Sequence, residues 1–193
     1  MNLANFTDSA PLRTELLDLF VNVAYREGDF TLSSGQKSSY YINGKVVTLH
    51  PRGALIIGHL LLAMLPEGTD AIAGLTLGAD PIVSAVSIVS ALGENPIPGI
   101  IIRKEAKGHG TKAYLEGPVL EPGSQVVVVE DVVTTGQSAM KAIDRLRGAG
   151  YTADSVISLV DRQQGGAEFY QERGIGFRSL FTIQDIQTHS KGL

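Results

Sequence analysis

Residues 126–138 read Val-Val-Val-Val-Glu-Asp-Val-Val-Thr-Thr-Gly-Gln-Ser, and this stretch decides the fold. Its four consecutive valines predict a strand that ends at Glu130 and is buried on both faces. The carboxylates of Glu130 and Asp131 are expected at the strand end, before a polar loop and a helix that starts near Gln137. A helix N-terminus after such a loop favours a phosphate, because its free N–H groups point at the ligand and Gly136 permits close approach. The adjacent carboxylates indicate that the ligand also carries hydroxyls, a metal ion, or both.

The chain around this stretch alternates between strand and helix patterns. The predicted strands are 71–75, 97–102, 125–130, 155–160 and 177–181, and the predicted helices are 12–21, 52–65, 81–92 and 137–148, with a short helical tail. Such alternation is typical of an α/β fold, with a central parallel sheet flanked by helices and ligands bound beyond the carboxyl ends of the strands. A length of 193 residues suits one domain, 1–193, in which residues 1–50 contribute to a small N-terminal hood.

Composition excludes several classes of protein. The net charge is −4, so no basic face indicates a nucleic-acid partner or an acidic membrane surface. The absence of cysteine excludes disulfides and thiolate metal sites, and it agrees with a cytoplasmic enzyme. No signal peptide is recognisable, and the most apolar segment, 54–65, is too short to cross a bilayer.

Four segments carry a family resemblance. The stretch 126–138 resembles the signature of type I phosphoribosyltransferases, which bind 5-phosphoribosyl 1-diphosphate (PRPP). The charged segment Arg103-Lys104-Glu105-Ala106-Lys107-Gly108-His109-Gly110-Thr111 resembles the catalytic loop of the orotate phosphoribosyltransferase family, and segments 30–43, 74–81 and 161–166 resemble further motifs of that family. Each of the first two segments also has an alternative without a function. The stretch 126–138 would then be a strand end with solvated charges, and the charged segment would be a flexible surface loop. The motifs occur in the family's order along nearly the whole chain, which favours the resemblance and its type I phosphoribosyltransferase fold.

The resemblance implies a role for each matched residue. The PRPP-binding residues would be Glu130 and Asp131 at the ribose hydroxyls, Thr134, Thr135, Gly136, Gln137 and Ser138 around the 5-phosphate, and Arg103, Lys104, Lys107 and His109 at the diphosphate, with Val133 as a further PRPP-binding residue. The catalytic residues would be Asp131 and the four loop residues. Orotate would contact Thr134, Arg162, Tyr40 and Tyr41. The alternatives are an ordinary surface arginine for Arg162 and core packing for either tyrosine.

The resemblance also implies partners and a cofactor. The substrates would be orotate and PRPP, and Mg²⁺ would be held mainly by substrate oxygens, with no metal ligand supplied directly by the protein. The enzyme would be a homodimer in which Lys107 and His109 reach across the interface. It would make orotidine 5-monophosphate in de novo pyrimidine biosynthesis.

Two positions depart from the family pattern. Many relatives have lysine where this chain has Ser33, and another lysine near Gly78, so the site carries less positive charge. Lys37 or Lys45 could compensate. Gly78 still permits a tight turn whose backbone N–H groups bind diphosphate.

Two rival functions remain open at this point. A phosphoribosyltransferase for a purine or another pyrimidine would share the core motif but lack the 103–111 and Arg162 pattern. A PRPP-sensing regulator would bind without turnover, and it would need a nucleic-acid-binding element that the sequence does not indicate.

Overall fold

The computed structural model describes residues 9–31, 35, 37–106 and 114–192. Its main sheet has six strands in the order β5-β4-β3-β6-β7-β8. These strands are β3 (Ala71–Leu75), β4 (Gly99–Ile102), β5 (Leu115–Glu116), β6 (Val126–Val133), β7 (Ser155–Asp161) and β8 (Gly176–Thr182). All neighbours are parallel except β5, which runs antiparallel to β4. The predicted α/β fold with a central parallel sheet is confirmed.

Helices cover both faces of the sheet. They are α1 (Ser9–Leu19), α2 (Lys45–Thr48), α3 (Pro51–Leu62), α4 (Asp80–Ser90), α5 (Gln137–Gly148), α6 (Gly166–Gln171) and α7 (Ile183–Gly192), and a π-helical segment, Phe20–Ala24, continues α1. No helix within the described ranges has the length and apolar character needed to cross a membrane.

The valines of β6 are divided between two apolar clusters. Val127 and Val129 pack into the cluster that contains α1, α3 and α4, whereas Val126 and Val128 pack into the cluster formed with α5. Successive strand residues point to opposite faces of a sheet, so this division buries β6 on both sides. The burial predicted from the run of valines is confirmed.

A separate two-stranded sheet precedes the main one. Strands β1 (Tyr25–Thr31) and β2 (Lys37–Ile42) pair antiparallel. Tyr25 and Tyr40 are buried in the same cluster as α1 and α3, which fixes this hairpin against the main body. The hairpin lies within the residues predicted to form the hood.

Some predicted boundaries are wrong. Strand β6 does not end at Glu130 but continues to Val133, because Val132 and Val133 still pair with β7. Glu130 and Asp131 therefore lie inside the strand and not at its end. Three short elements were not predicted: α2, the two-residue strand β5, and α6, which replaces an expected loop.

The strand order places the candidate site. From β3 the chain adds β4 on one side, then crosses to add β6 on the other side of β3. Ligands of open α/β sheets bind at such a switch point, beyond the carboxyl ends of the strands. The crevice is therefore expected between the ends of β3 and β6.

Candidate functional site

A pocket lies at the carboxyl end of β6, where the predicted phosphate loop leads into α5. It has a cavity volume of about 80 Å³ and is lined by Glu130, Val132, Val133, Thr134, Thr135, Gly136, Gln137, Ser138, Ala139 and Tyr170. The first turn of α5 contributes backbone N–H groups, which have no partner inside the helix and favour an anion. The structure thus brings all six residues of 133–138, predicted as phosphate ligands, to one pocket.

Close packing under the loop requires glycine at two positions. Gly136 has φ +81°, and a Cβ there would lie 2.9 Å from Phe169 Cδ1 and 3.0 Å from Tyr170 Cζ. At Gly166, in the first turn of α6, a Cβ would lie 2.5 Å from Val133 Cγ1 and 3.1 Å from the Thr134 carbonyl oxygen. Helix α6 therefore packs directly against the phosphate loop, and its aromatic side chains fix the position of Gly136.

Glu130 is the most perturbed acid in the pocket. Its side chain is 9% exposed, and its Oε2 has no hydrogen-bond partner among the described residues. Burial raises the pKa of this carboxyl to about 8; the Asp131 charge adds to the effect, and the Lys104 ammonium opposes it. A buried acceptor without a partner is costly unless a ligand or water satisfies it, which makes Glu130 suited to bind a hydroxyl.

Asp131 lies between two glycine-containing segments. A Cβ built on Gly78 would lie 2.7 Å from Asp131 Oδ1, and one on Gly44 would lie 3.2 Å from Asp131 Cβ. Asp131 Oδ1 also accepts a hydrogen bond from the Val132 N–H at 3.0 Å. The loop between β3 and α4 therefore touches the acidic pair at the switch point, and a side chain at position 78 would collide with the Asp131 carboxylate in this arrangement.

Arg162 connects the end of β7 to strand β2. It is only 8% exposed, which excludes the ordinary surface arginine. Its Nε donates to Tyr40 Oη at 3.1 Å, its Nη2 donates to Ser38 Oγ at 3.4 Å, and its guanidinium stands 4.8 Å from the centre of the Tyr40 ring. These two hydrogen bonds use two of the five N–H groups of a guanidinium.

The two tyrosines of β2 lie on opposite faces of the strand. Tyr40 is buried against Arg162, whereas Tyr41 is 44% exposed and stacks on Phe30 with ring centres 5.6 Å apart. The structure therefore brings Tyr40 to Arg162 but not Tyr41. An orotate contact at Tyr41 stays a prediction.

The charged loop is described at its two ends. Arg103 pairs with Glu116 at 3.0 Å, and Lys104 is close enough to Glu130 to lower the pKa of its carboxyl. Lys107 and His109 lie outside the described residues, as does Ser33. Of the two lysines expected to compensate for the missing cations, Lys37 donates to Thr31 Oγ1 at 2.9 Å, and Lys45 is exposed at the start of α2.

Two residues near the site were missed from the sequence. Tyr170 on α6 is fully buried, and its hydroxyl has no partner among the described residues although it lines the phosphate pocket. Burial raises the pKa of this phenol, and the charges of Glu130 and Asp161 add to the effect, so the hydroxyl remains a donor. Arg145 on α5 donates to the carbonyl oxygens of Arg103 and Lys104. Neither could be recognised, because the sequence did not predict α6 or the position of the loop relative to α5.

The residues that could hold a metal are the acidic pair. Within the described ranges no group of three or more histidine, cysteine, aspartate or glutamate side chains is arranged as a metal site. Two adjacent carboxylates with an unpartnered oxygen suit an ion that takes most of its ligands from a bound phosphate compound.

Comparison with known proteins decides the family. The chain is 71% identical over 180 residues to the orotate phosphoribosyltransferase of Nostoc sp., covering 93% of this chain and 87% of that protein. The chain belongs to the orotate phosphoribosyltransferase family. No general family model matched the sequence.

Solved structures of the family agree with the fold. The Mycobacterium tuberculosis H37Rv orotate phosphoribosyltransferase superposes with a TM-score of 0.79 at 36% identity, covering 91% of this chain and 99% of that one. The same enzyme in complex with 5-phospho-α-D-ribosyl 1-diphosphate gives a TM-score of 0.76 at 32% identity, covering 92% of this chain and 99% of that one. The predicted resemblance is confirmed.

Proposed function

We propose that this member of the family joins orotate to PRPP, giving orotidine 5-monophosphate and diphosphate in de novo pyrimidine biosynthesis. The observation that carries the proposal is that a phosphate loop, an acidic pair with a buried Glu130, and the buried Arg162 all lie at the carboxyl ends of the neighbouring strands β6 and β7. The reaction forms a bond between a ring nitrogen of orotate and the anomeric carbon, and it breaks the bond from that carbon to diphosphate. Orotate supplies a delocalised anionic nitrogen, so the site needs alignment and charge stabilisation more than a strong base.

Each part of the site then has one task. The residues 133–138 cradle the 5-phosphate, and Glu130 and Asp131 hold the ribose hydroxyls. Arg162 grips the orotate carboxylate with its remaining N–H groups, because a guanidinium matches a carboxylate with two parallel hydrogen bonds. In this arrangement Thr134 and Tyr40 border the base.

The departing diphosphate requires positive charge. We assign this task to Arg103, Lys104, Lys107 and His109, together with the backbone N–H groups near Gly78. The cofactor is Mg²⁺, which substrate oxygens would hold beside Glu130 and Asp131 and which would supply positive charge to the diphosphate. Two features support Mg²⁺ as the cofactor: the adjacent carboxylates of Glu130 and Asp131, and the unpartnered Oε2 of Glu130.

We further propose that the protein is a cytoplasmic homodimer in which Lys107 and His109 of the charged loop reach the partner's site. Large apolar side chains stand exposed on and beside α4, where Ile88 is 69% and Leu92 is 59% exposed. Mixing a Lys107→Ala variant with an Asp131→Asn variant tests the sharing, since a mixed dimer holds one site with both groups intact. Recovery of part of the activity is expected, and no recovery after verified subunit exchange contradicts the shared loop.

The chemical proposal is tested by stoichiometry. Orotate, uracil and a purine base are each incubated with PRPP and Mg²⁺, and diphosphate is counted against the nucleotide formed. We expect one diphosphate per orotidine 5-monophosphate, and far slower turnover of uracil and the purine. Preferred turnover of a purine supports a purine phosphoribosyltransferase. Tight PRPP binding without turnover of any base supports a PRPP-sensing regulator.

A further inference from the structure

The charged loop leaves and re-enters the fold through two antiparallel strands. Ile102 of β4 pairs with Leu115 of β5, and the Arg103 N–H donates to the Tyr114 carbonyl at 2.8 Å, which extends the ladder by one rung. This rung fixes the two described ends of the loop together. The carbonyl groups of Arg103 and Lys104 follow it on the departing side, and one side chain donates to both.

Arg145 supplies that donor from a neighbouring helix. Its Nη1 donates to the Arg103 carbonyl, and its Nη2 donates to the Lys104 carbonyl at 2.9 Å. Its guanidinium also lies 4.2 Å from the centre of the Tyr114 ring. One planar group thus contacts both ends of the loop, two carbonyls on the departing side and one aromatic ring on the returning side.

The same helix carries the phosphate loop at its other end. Helix α5 begins at Gln137, in the lining of the phosphate pocket, and Arg145 lies eight residues further along it. A helix rises 1.5 Å per residue, so the phosphate cradle and Arg145 are held about 12 Å apart along a rigid axis. The backbone of Arg103 and Lys104 is thereby set relative to the position of the 5-phosphate.

We propose that Arg145 is a positioning residue for the reaction, which fixes the backbone of Arg103 and Lys104 against α5 and thereby sets where their cations meet the diphosphate of PRPP. This inference rests on the proposed function, because it takes Arg103 and Lys104 as diphosphate ligands. Arg145 itself touches loop backbone and Tyr114 in the structure, so it acts through these two cations.

The experiment compares Arg145→Met with Arg147→Ala. Methionine keeps much of the aliphatic length of the side chain but removes the donors and the charge. Arg147 is the matched control, since it is on the same helix and also donates to a carbonyl, that of Ala153, away from the loop. We expect kcat of Arg145→Met to fall about 10-fold, with the KM for orotate changed less than about 3-fold, and Arg147→Ala to stay near wild type.

A second measurement separates positioning from general loss of structure. Hydrogen–deuterium exchange should accelerate in Arg145→Met only in peptides that cover 103–106 and 114–116, with the rest of the domain unchanged. Arg145→Lys keeps a charge but cannot serve two carbonyls and a ring face at once, so it should recover only part of kcat. If Arg145→Met does not fold, the lysine variant carries the same comparison.

The outcomes distinguish the two proposals. A wild-type kcat for Arg145→Met, or faster exchange across the whole domain, overturns the positioning role. The double variant Arg103→Ala/Lys104→Ala tests the assumption beneath it. If that variant keeps wild-type activity, the diphosphate assignment of the proposed function fails; if it loses activity while Arg145→Met does not, only the role of Arg145 fails.

Discussion

Replacing Arg162 with alanine should weaken orotate binding much more than PRPP binding. The guanidinium is buried at the end of β7. Its hydrogen bonds to Tyr40 and Ser38 fix it against strand β2. A hydrogen bond that involves a charged group contributes about 1.5–3 kcal/mol, so loss of the carboxylate contact should raise the KM for orotate roughly 10- to 150-fold. The KM for PRPP should change less than about 3-fold, because no PRPP contact is assigned to Arg162.

The same substitution has a measurable cost in stability. It deletes the two hydrogen bonds from Arg162 to β2 and leaves the Tyr40 hydroxyl without this donor. A loss of roughly 1–2 kcal/mol in the free energy of unfolding would lower the Tm by about 2–8 °C in a domain of this size. Kinetics are therefore measured well below the Tm of the variant.

Three further variants complete the test of Arg162. Arg162→Lys should recover only part of the affinity for orotate, because a point charge cannot reproduce two parallel hydrogen bonds. Tyr40→Phe keeps the ring but removes the acceptor, and it should raise the KM for orotate less than Arg162→Ala does. Arg26→Ala removes an exposed arginine of the hood, and it should leave both KM values unchanged. Equal rises of the two KM values in Arg162→Ala would refute the reasoning.

The remaining predictions concern β6 and the loop after it. Asp131→Asn should lower kcat/KM by about 10-fold or more, equivalent to about 1.4 kcal/mol of transition-state stabilisation, and wild-type kinetics in a folded variant would contradict its role. Glu130→Gln should flatten the pH dependence of stability. The Glu130 carboxyl has a pKa of about 8 in the folded protein and 4.5 when it is unperturbed, so the wild type loses stability as the pH rises between these values. The Tm of the variant relative to that of the wild type should therefore increase from pH 5 to 8. Gly136→Ala should raise the KM for PRPP and lower the Tm more than Gly150→Ala, because both glycines have a positive φ but only Gly136 has neighbours within 4 Å of an added Cβ. Equal Tm losses in the two glycine variants would mean that contacts with α6 do not hold the loop.

The sequence predicted the parts of the site that follow a single strand and helix. Four valines, two carboxylates and a glycine before a helical pattern were enough to place the phosphate loop, because each signal is local. The end of β6 was misplaced for the opposite reason. Glu130 and Asp131 look like a strand end by composition, but pairing with β7 extends the strand past them to Val133. Pairing between strands is a tertiary effect that local polarity does not reveal.

Contacts between distant segments account for the residues that were missed. Tyr170 lies in a short helix of six residues that begins with glycine, and such a helix has a weak sequence pattern. Arg145 lies 41 positions from Lys104 along the chain, and its bonds to loop carbonyls depend on how α5 packs against β3 and β6. The roles of Tyr40 and Tyr41 could not be separated before the pairing of β1 with β2 showed which ring faces Arg162.

In the proposed function, the protein transfers a phosphoribosyl group to orotate in the crevice between β3 and β6. The most direct measurement is the absorbance of orotate in the presence of the purified protein, PRPP and Mg²⁺. We expect a loss of orotate absorbance that requires both additions and that is abolished or much slowed in Asp131→Asn. A folded protein that leaves the absorbance of orotate unchanged, or that consumes a purine base faster than orotate, would contradict it.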